Sequence, residues 1–196
     1  MTYERTAPRR RGLAGVSVAT PTGWVGVTPA PGQAFAAVGL GDASKVRTAR
    51  AVATLAKVSQ FDPLVIDTAQ ELALTARERD ADGICLAIRG FLARHFTFVE
   101  DVRDADAVRE PRQQLEFYYS GAGMRGDCDC CAALGAALGL AVGRDAQLVL
   151  LAFNDPAEEY THIYAELEGT GHWIDLDTTK PAGAIPPVSR ILTVPV

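Results

Sequence analysis

Three side chains in this sequence have the types and settings that nucleophilic acyl chemistry needs: Cys128, His162 and Asp177. Cys128 stands in Gly126-Asp127-Cys128-Asp129-Cys130-Cys131-Ala132-Ala133-Leu134, where glycine and aspartate precede a run of small apolar residues. That order predicts a helix start, with Asp127 as N-cap and Cys128 in the first turn. Unpaired N–H groups and the positive end of the helix dipole would then face the sulfur, lowering its pKa and favouring thiolate. Cys131 shares a helix side with Leu134 and Leu138 and reads as a small core residue. Gly135 and Gly139, with Ala132 and Ala136, leave a smooth face for close approach to a sheet.

With three histidines in the chain, the choice of a general base is short. His95 ends an amphipathic helical stretch and suits the negative end of its dipole. His172 follows Gly169-Thr170-Gly171 in a turn and reads as exposed. His162 lies in an alternating segment whose one face carries Tyr160, His162, Tyr164 and Glu166, with Thr161, Ile163, Ala165 and Leu167 on the other. In the next alternating segment Trp173, Asp175 and Asp177 share a face.

A two-residue turn at Gly169-Thr170 sets Asp177 directly across from His162, about 4.5–5.5 Å between Cβ atoms. A four-residue loop over 169–172 makes Asp177 a diagonal neighbour on the same side. A three-residue loop would bring Ile174 and Leu176 beside His162, against the apolar alternation. Asp177 is the preferred orienting carboxylate and Asp175 the fallback. The chemistry has an imidazole to pair with the thiolate and protonate a leaving group, and a carboxylate to fix its tautomer.

The elements that must position these groups follow from periodicity. Apolar spacing predicts helices over 44–60, with Ser44 as N-cap, over 63–79 after the Phe61-Asp62-Pro63 break, and over 82–95. A short extended segment follows at 96–99, then a charged loop over 101–111. A stretch over 113–119 leads to the cysteine helix at 130–142. Strands are expected at 146–153, 160–168, 173–177 and 191–194. Helices first and an antiparallel sheet after them argue an α+β domain over 44–196, with the helices on one side of the sheet. Residues 1–43, rich in Pro, Gly, Val and Thr, read as an N-terminal arm or small hairpin, with strands at 15–20 and 24–28, and as a docking segment for a protein partner.

The 196 residues are 48% apolar and 22% charged, which excludes disorder along the whole length. Nineteen basic against 24 acidic residues give a net charge of −5, so no broad cationic field exists for nucleic acid. No apolar run is long enough for a membrane span, and the Arg-bearing start lacks the apolar core of a signal peptide. Three cysteines crowd at 128–131 while Cys85 stands alone, a layout that suits reduced thiols in a cytoplasmic setting rather than a disulfide framework. Zinc held by Cys128, Cys130, Cys131 and a histidine is a rival reading, but crowded cysteines at one helix start do not easily converge on one ion.

The stretches Gly126-Asp127-Cys128-Asp129, His162-Ile163-Tyr164-Ala165-Glu166 and Trp173-Ile174-Asp175-Leu176-Asp177-Thr178-Thr179 resemble the transglutaminase-like superfamily over roughly 44–180. The resemblance implies a papain-like fold with Cys128 as nucleophile, His162 as base and Asp177 as its partner. It implies no cofactor and no metal, and a peptide or protein substrate attacked through a thioester. Hydrolysis makes a cysteine peptidase or amidase; transfer to an amine makes a crosslinker. The helices before Cys128 look like variants encoded by bacteriophages and prophages, which would allow a virion-associated location. Two departures from the family pattern are Cys130, where a second acidic residue is common, and the lack of a tryptophan before Cys128 as oxyanion donor. The Cys128 N–H is one expected donor, and Gln113, Gln114, Tyr118 and Tyr119 are candidates for the other. The alternative is a catalytically silent transglutaminase-like domain serving as a structural or tail-associated scaffold.

Overall fold

Three aspartates open helices. Asp62, Asp80 and Asp127 each lie in extended backbone, and each side chain accepts an amide of the first turn: Leu64 N at 2.9 Å, Gly83 N at 2.8 Å and Cys130 N at 3.2 Å. Each satisfies a donor the helix leaves open, an effect worth about 1 kcal/mol. In a computed structural model, which describes residues 33–37, 42–100, 106–154, 159–179 and 187–196, the chain runs β1 (Gln33–Ala37), α1 (Asp42–Ser59), α2 (Pro63–Thr75), α3 (Ala81–His95), β2 (Phe96–Phe98), β3 (Asp106–Arg109), α4 (Pro111–Tyr119), β4 (Met124–Gly126), α5 (Cys128–Ala141), β5 (Ala146–Phe153), β6 (His162–Glu168), β7 (Trp173–Asp175) and β8 (Val188–Pro195).

The helices fall close to their expected places. Ser44 is buried inside the first turn of α1 rather than capping it, and α2 stops at Thr75, short of the expected residue 79. The charged loop contains β3, and β4 is a strand that periodicity did not announce. The two strands expected at 15–20 and 24–28 lie outside the described residues. The described part of the arm, β1, pairs antiparallel with β3.

The main sheet has the order β7-β6-β5-β8 and is antiparallel throughout. Together with five helices among the described residues, a small β1-β3 sheet and a parallel β2-β4 pair, this is a mixed α+β architecture. The centre is α5, buried from Asp129 to Gly139 on every side, as a helix of almost continuous small and aliphatic residues must be. It packs on α1, α2, α3 and α4 and on β6. Gly139 allows the last of these contacts, because a Cβ there would fall 2.1 Å from Leu167 Cδ2. Along β6 the buried residues are Ile163, Ala165 and Leu167, while His162, Tyr164 and Glu166 on the other face are half-buried. No helix among the described residues is long and apolar enough to cross a membrane.

Candidate active site

Cys128 is presented by a short, heavily fastened segment. β4 pairs in parallel with β2, and Val99 N donates to Gly126 O at 2.8 Å, one residue before the cap. The fully buried Gln114 of α4 grips Arg125 from both sides: its Nε2 donates to Arg125 O at 2.8 Å and its Oε1 accepts from Arg125 N at 3.1 Å. Gly126 lies over the first turn of α5, where a Cβ would stand 2.6 Å from Cys130 Cβ. The Cys130 sulfur accepts from Arg109 N at 3.3 Å and fastens β3 to the same turn. Asp127 caps α5, so Cys128 is its first helical residue, as the sequence predicts.

His162 and Asp177 come together across the next hairpin. The β6-β7 register pairs Glu166 with Asp175, Leu167 with Ile174 and Glu168 with Trp173, which is the four-residue loop; Gly169 N donates to His172 O at 2.8 Å. Asp177 therefore lies beyond the end of β7 on the diagonal from His162, and its Oδ2 is 2.6 Å from His162 Nε2. The imidazole side chain is 13% exposed and the carboxylate 1%. Asp177 Oδ1 accepts from Thr179 N at 3.1 Å and Thr179 Oγ1 at 2.9 Å, and its own amide donates to Asp175 Oδ1. Asp175 thus supports the backbone of Asp177 rather than replacing it.

The thiol stands apart from the imidazole in its bonding. Cys128 lies against the sheet beside Ile163, Tyr164, Leu176 and Asp177, and its Sγ donates to Asp129 Oδ1 at 3.6 Å. Burial, above all, and then the Asp129 and Asp127 carboxylates hold this thiol well above its ordinary pKa; the Ile163 N–H and the Lys45 ammonium pull the other way. The expectation of a thiolate favoured by the helix terminus is therefore reversed in the resting structure, because desolvation and two adjacent negative charges outweigh the dipole. The signal for this was local, the Asp-Cys-Asp succession itself. Lys45 had no such signal: it comes from α1, and it lines a small cavity with Asp129, Tyr160, Thr161 and His162.

The remaining candidates have other work. All four cysteines are free. Cys131 is core and lies 3.6 Å from Thr178 Oγ1, and burial pushes its pKa up to about 12. Cys128, Cys130 and Cys131 thus meet three different partners, which is not a thiolate cage. The ligating atoms of Asp127, Cys128 and Asp129 do lie within 4.8 Å of one another, a spacing that follows from their succession at one helix start. His95 packs between Phe91 and Tyr118, and His172 is exposed beside Thr170 O. Of the candidate oxyanion donors, Gln114 is engaged by Arg125, Tyr118 packs on rings, and Tyr119 Oη meets Thr68 Oγ1 at 3.1 Å. Gln113 has a buried Oε1 with no hydrogen-bond partner among the described residues.

The arrangement is a thiol on the first turn of α5, packed against a sheet hairpin that carries a bonded His162–Asp177 pair, in an α+β frame. Comparison with protein-family models, curated proteins and solved structures found no match to this chain.

Proposed function

We propose that this chain is a thiol acyl-transfer enzyme of the transglutaminase-like, papain-like-fold type, acting as a cysteine peptidase or amidase on a peptide or carboxamide. The observation that carries the reading is the 2.6 Å His162 Nε2–Asp177 Oδ2 contact, made one residue from the Ile163 backbone against which Cys128 rests. Asp177 fixes the proton on Nε2 and leaves Nδ1 as the basic nitrogen. In the reaction the Cys128 S–H proton passes to Nδ1 as sulfur attacks the carbonyl carbon. The tetrahedral oxyanion faces the Cys128 N–H at the helix terminus. His162 then protonates the departing amine, leaving a thioester that water hydrolyses to free acid and thiol.

Labelling by a peptide-based electrophile tests this. The other three thiols are buried, so the parent protein should be labelled once, at Cys128, and Cys128→Ala not at all. His162→Ala should cut the labelling rate by at least tenfold. Labelling of His162→Ala at the parent rate would overturn the reading.

The second reading, a catalytically silent scaffold with the same fold, is favoured by one observation: the resting thiol is partly buried and bonded to Asp129. It requires that Cys128 react no faster than a buried thiol in a denaturant-free control and that no peptide be cleaved.

A further inference from the structure

We propose that Lys45 is a positioning residue for this site, whose ammonium offsets the Asp129 charge so that the Cys128 proton can leave for His162. The inference rests on the acyl-transfer reading above. Three features of the structure converge on it. Asp129 is 2% exposed, and a carboxylate at that depth needs a compensating cation. Asp129 is also the group that holds the resting thiol proton, at 3.6 Å. Lys45, half-buried in the first turn of α1, shares with Asp129 and His162 the lining of one small cavity.

Around the sulfur, Asp127 and Asp129 come from its own helix start, Tyr164 and Asp177 from the β6-β7 hairpin, and Lys45 from α1, while His162 is bonded to Asp177. Against the carboxylates, Lys45 supplies the positive charge, and it also weakens Asp129 as a rival acceptor of the thiol proton. The entry of β6 is held to the same turn of α1: Asp42 Oδ1 accepts from Tyr160 N at 3.0 Å, and Asp42 Oδ2 accepts from Arg190 of β8, whose guanidinium lies 4.4 Å over the Tyr160 ring. The lysine and the imidazole strand thus keep a fixed relation.

The test is the pH profile of Cys128 alkylation by iodoacetamide, read by peptide mass spectrometry on the folded full chain. Lys45→Met should move the midpoint upward by roughly one pH unit, so that alkylation below the midpoint slows about tenfold. Lys45→Arg, which keeps the charge, should stay near the parent profile. Asp129→Asn should move the midpoint downward, since it removes the negative charge that Lys45 offsets. Equal profiles for the parent and Lys45→Met would overturn the inference, as would an Asp129→Asn midpoint at or above the parent's. His162→Ala separates the two levels: if it changes the profile and Lys45→Met does not, the positioning role alone fails, and if neither changes it, the acyl-transfer reading fails too.

Discussion

Asp177 meets His162 on the diagonal of the β6-β7 hairpin rather than straight across it, at 2.6 Å, and is held there by Thr179 through both amide and hydroxyl. The carboxylate is thus fixed by its own chain and offers its second oxygen to the ring. Asp177→Asn keeps the shape but removes the acceptor that selects the Nε2–H tautomer. The expected result is a near-parent melting temperature with a loss in kcat/KM of about 10³-fold or more. Steady-state kinetics beside a thermal melt check both halves.

Asp127 has two effects of opposite value, capping α5 and adding negative charge beside the thiol. Asp127→Ser retains a capping oxygen without the charge and should speed Cys128 alkylation at pH 8. Asp127→Ala loses the cap as well and should lower stability by about 1 kcal/mol. Urea midpoints and alkylation rates of the two variants separate the roles.

Gly139 faces Leu167 with no room for a methyl group. Gly139→Ala should gain helix propensity yet destabilise on balance by about 1–3 kcal/mol, since the core must spread to admit the new atom. Chemical denaturation measures the sign directly.

Buried thiols make the fold sensitive to alkali. Burial raises Cys85 from 9.0 to about 11 and Cys131 to about 12. A thiol whose folded pKa is raised contributes stability that is full below the unfolded pKa and is lost as pH climbs through the folded one. Stability should therefore be flat from pH 7 to near 9 and then fall, by about 1.4 kcal/mol per pH unit for each protected thiol. A Cys131→Ala variant should show a shallower fall in urea titrations between pH 8 and 11.

Much of this site was legible because its parts obey short-range rules. Aspartate before small apolar residues marks a capped helix whatever lies around it, so Asp127 and Cys128 fell where expected. The alternation of Ile163, Ala165, Leu167, Ile174 and Leu176 left two hairpin registers open, and both kept Asp177 on the side of His162. What periodicity could not show depends on distance in the chain. β3 and β4 have four and three residues, too few for a pattern, and exist because β1 and β2 lie beside them. The state of the thiol also went against the helix-end rule: the Asp127 and Asp129 charges were visible in the sequence, whereas the burial against β6 that outweighs the dipole arises only on folding.

The parallel β2-β4 pair gives Cys128 an unexpected dependency. The last peptide before the cap is hung on Val99, just past β2, so the segment that carries Cys128 is tied to the chain leaving α3 as well as packed against the sheet. Proteolytic nicking or a misplaced proline near residue 99 would let that junction drift, and the reactivity proposed for Cys128 would fall while the His162 hairpin stayed intact.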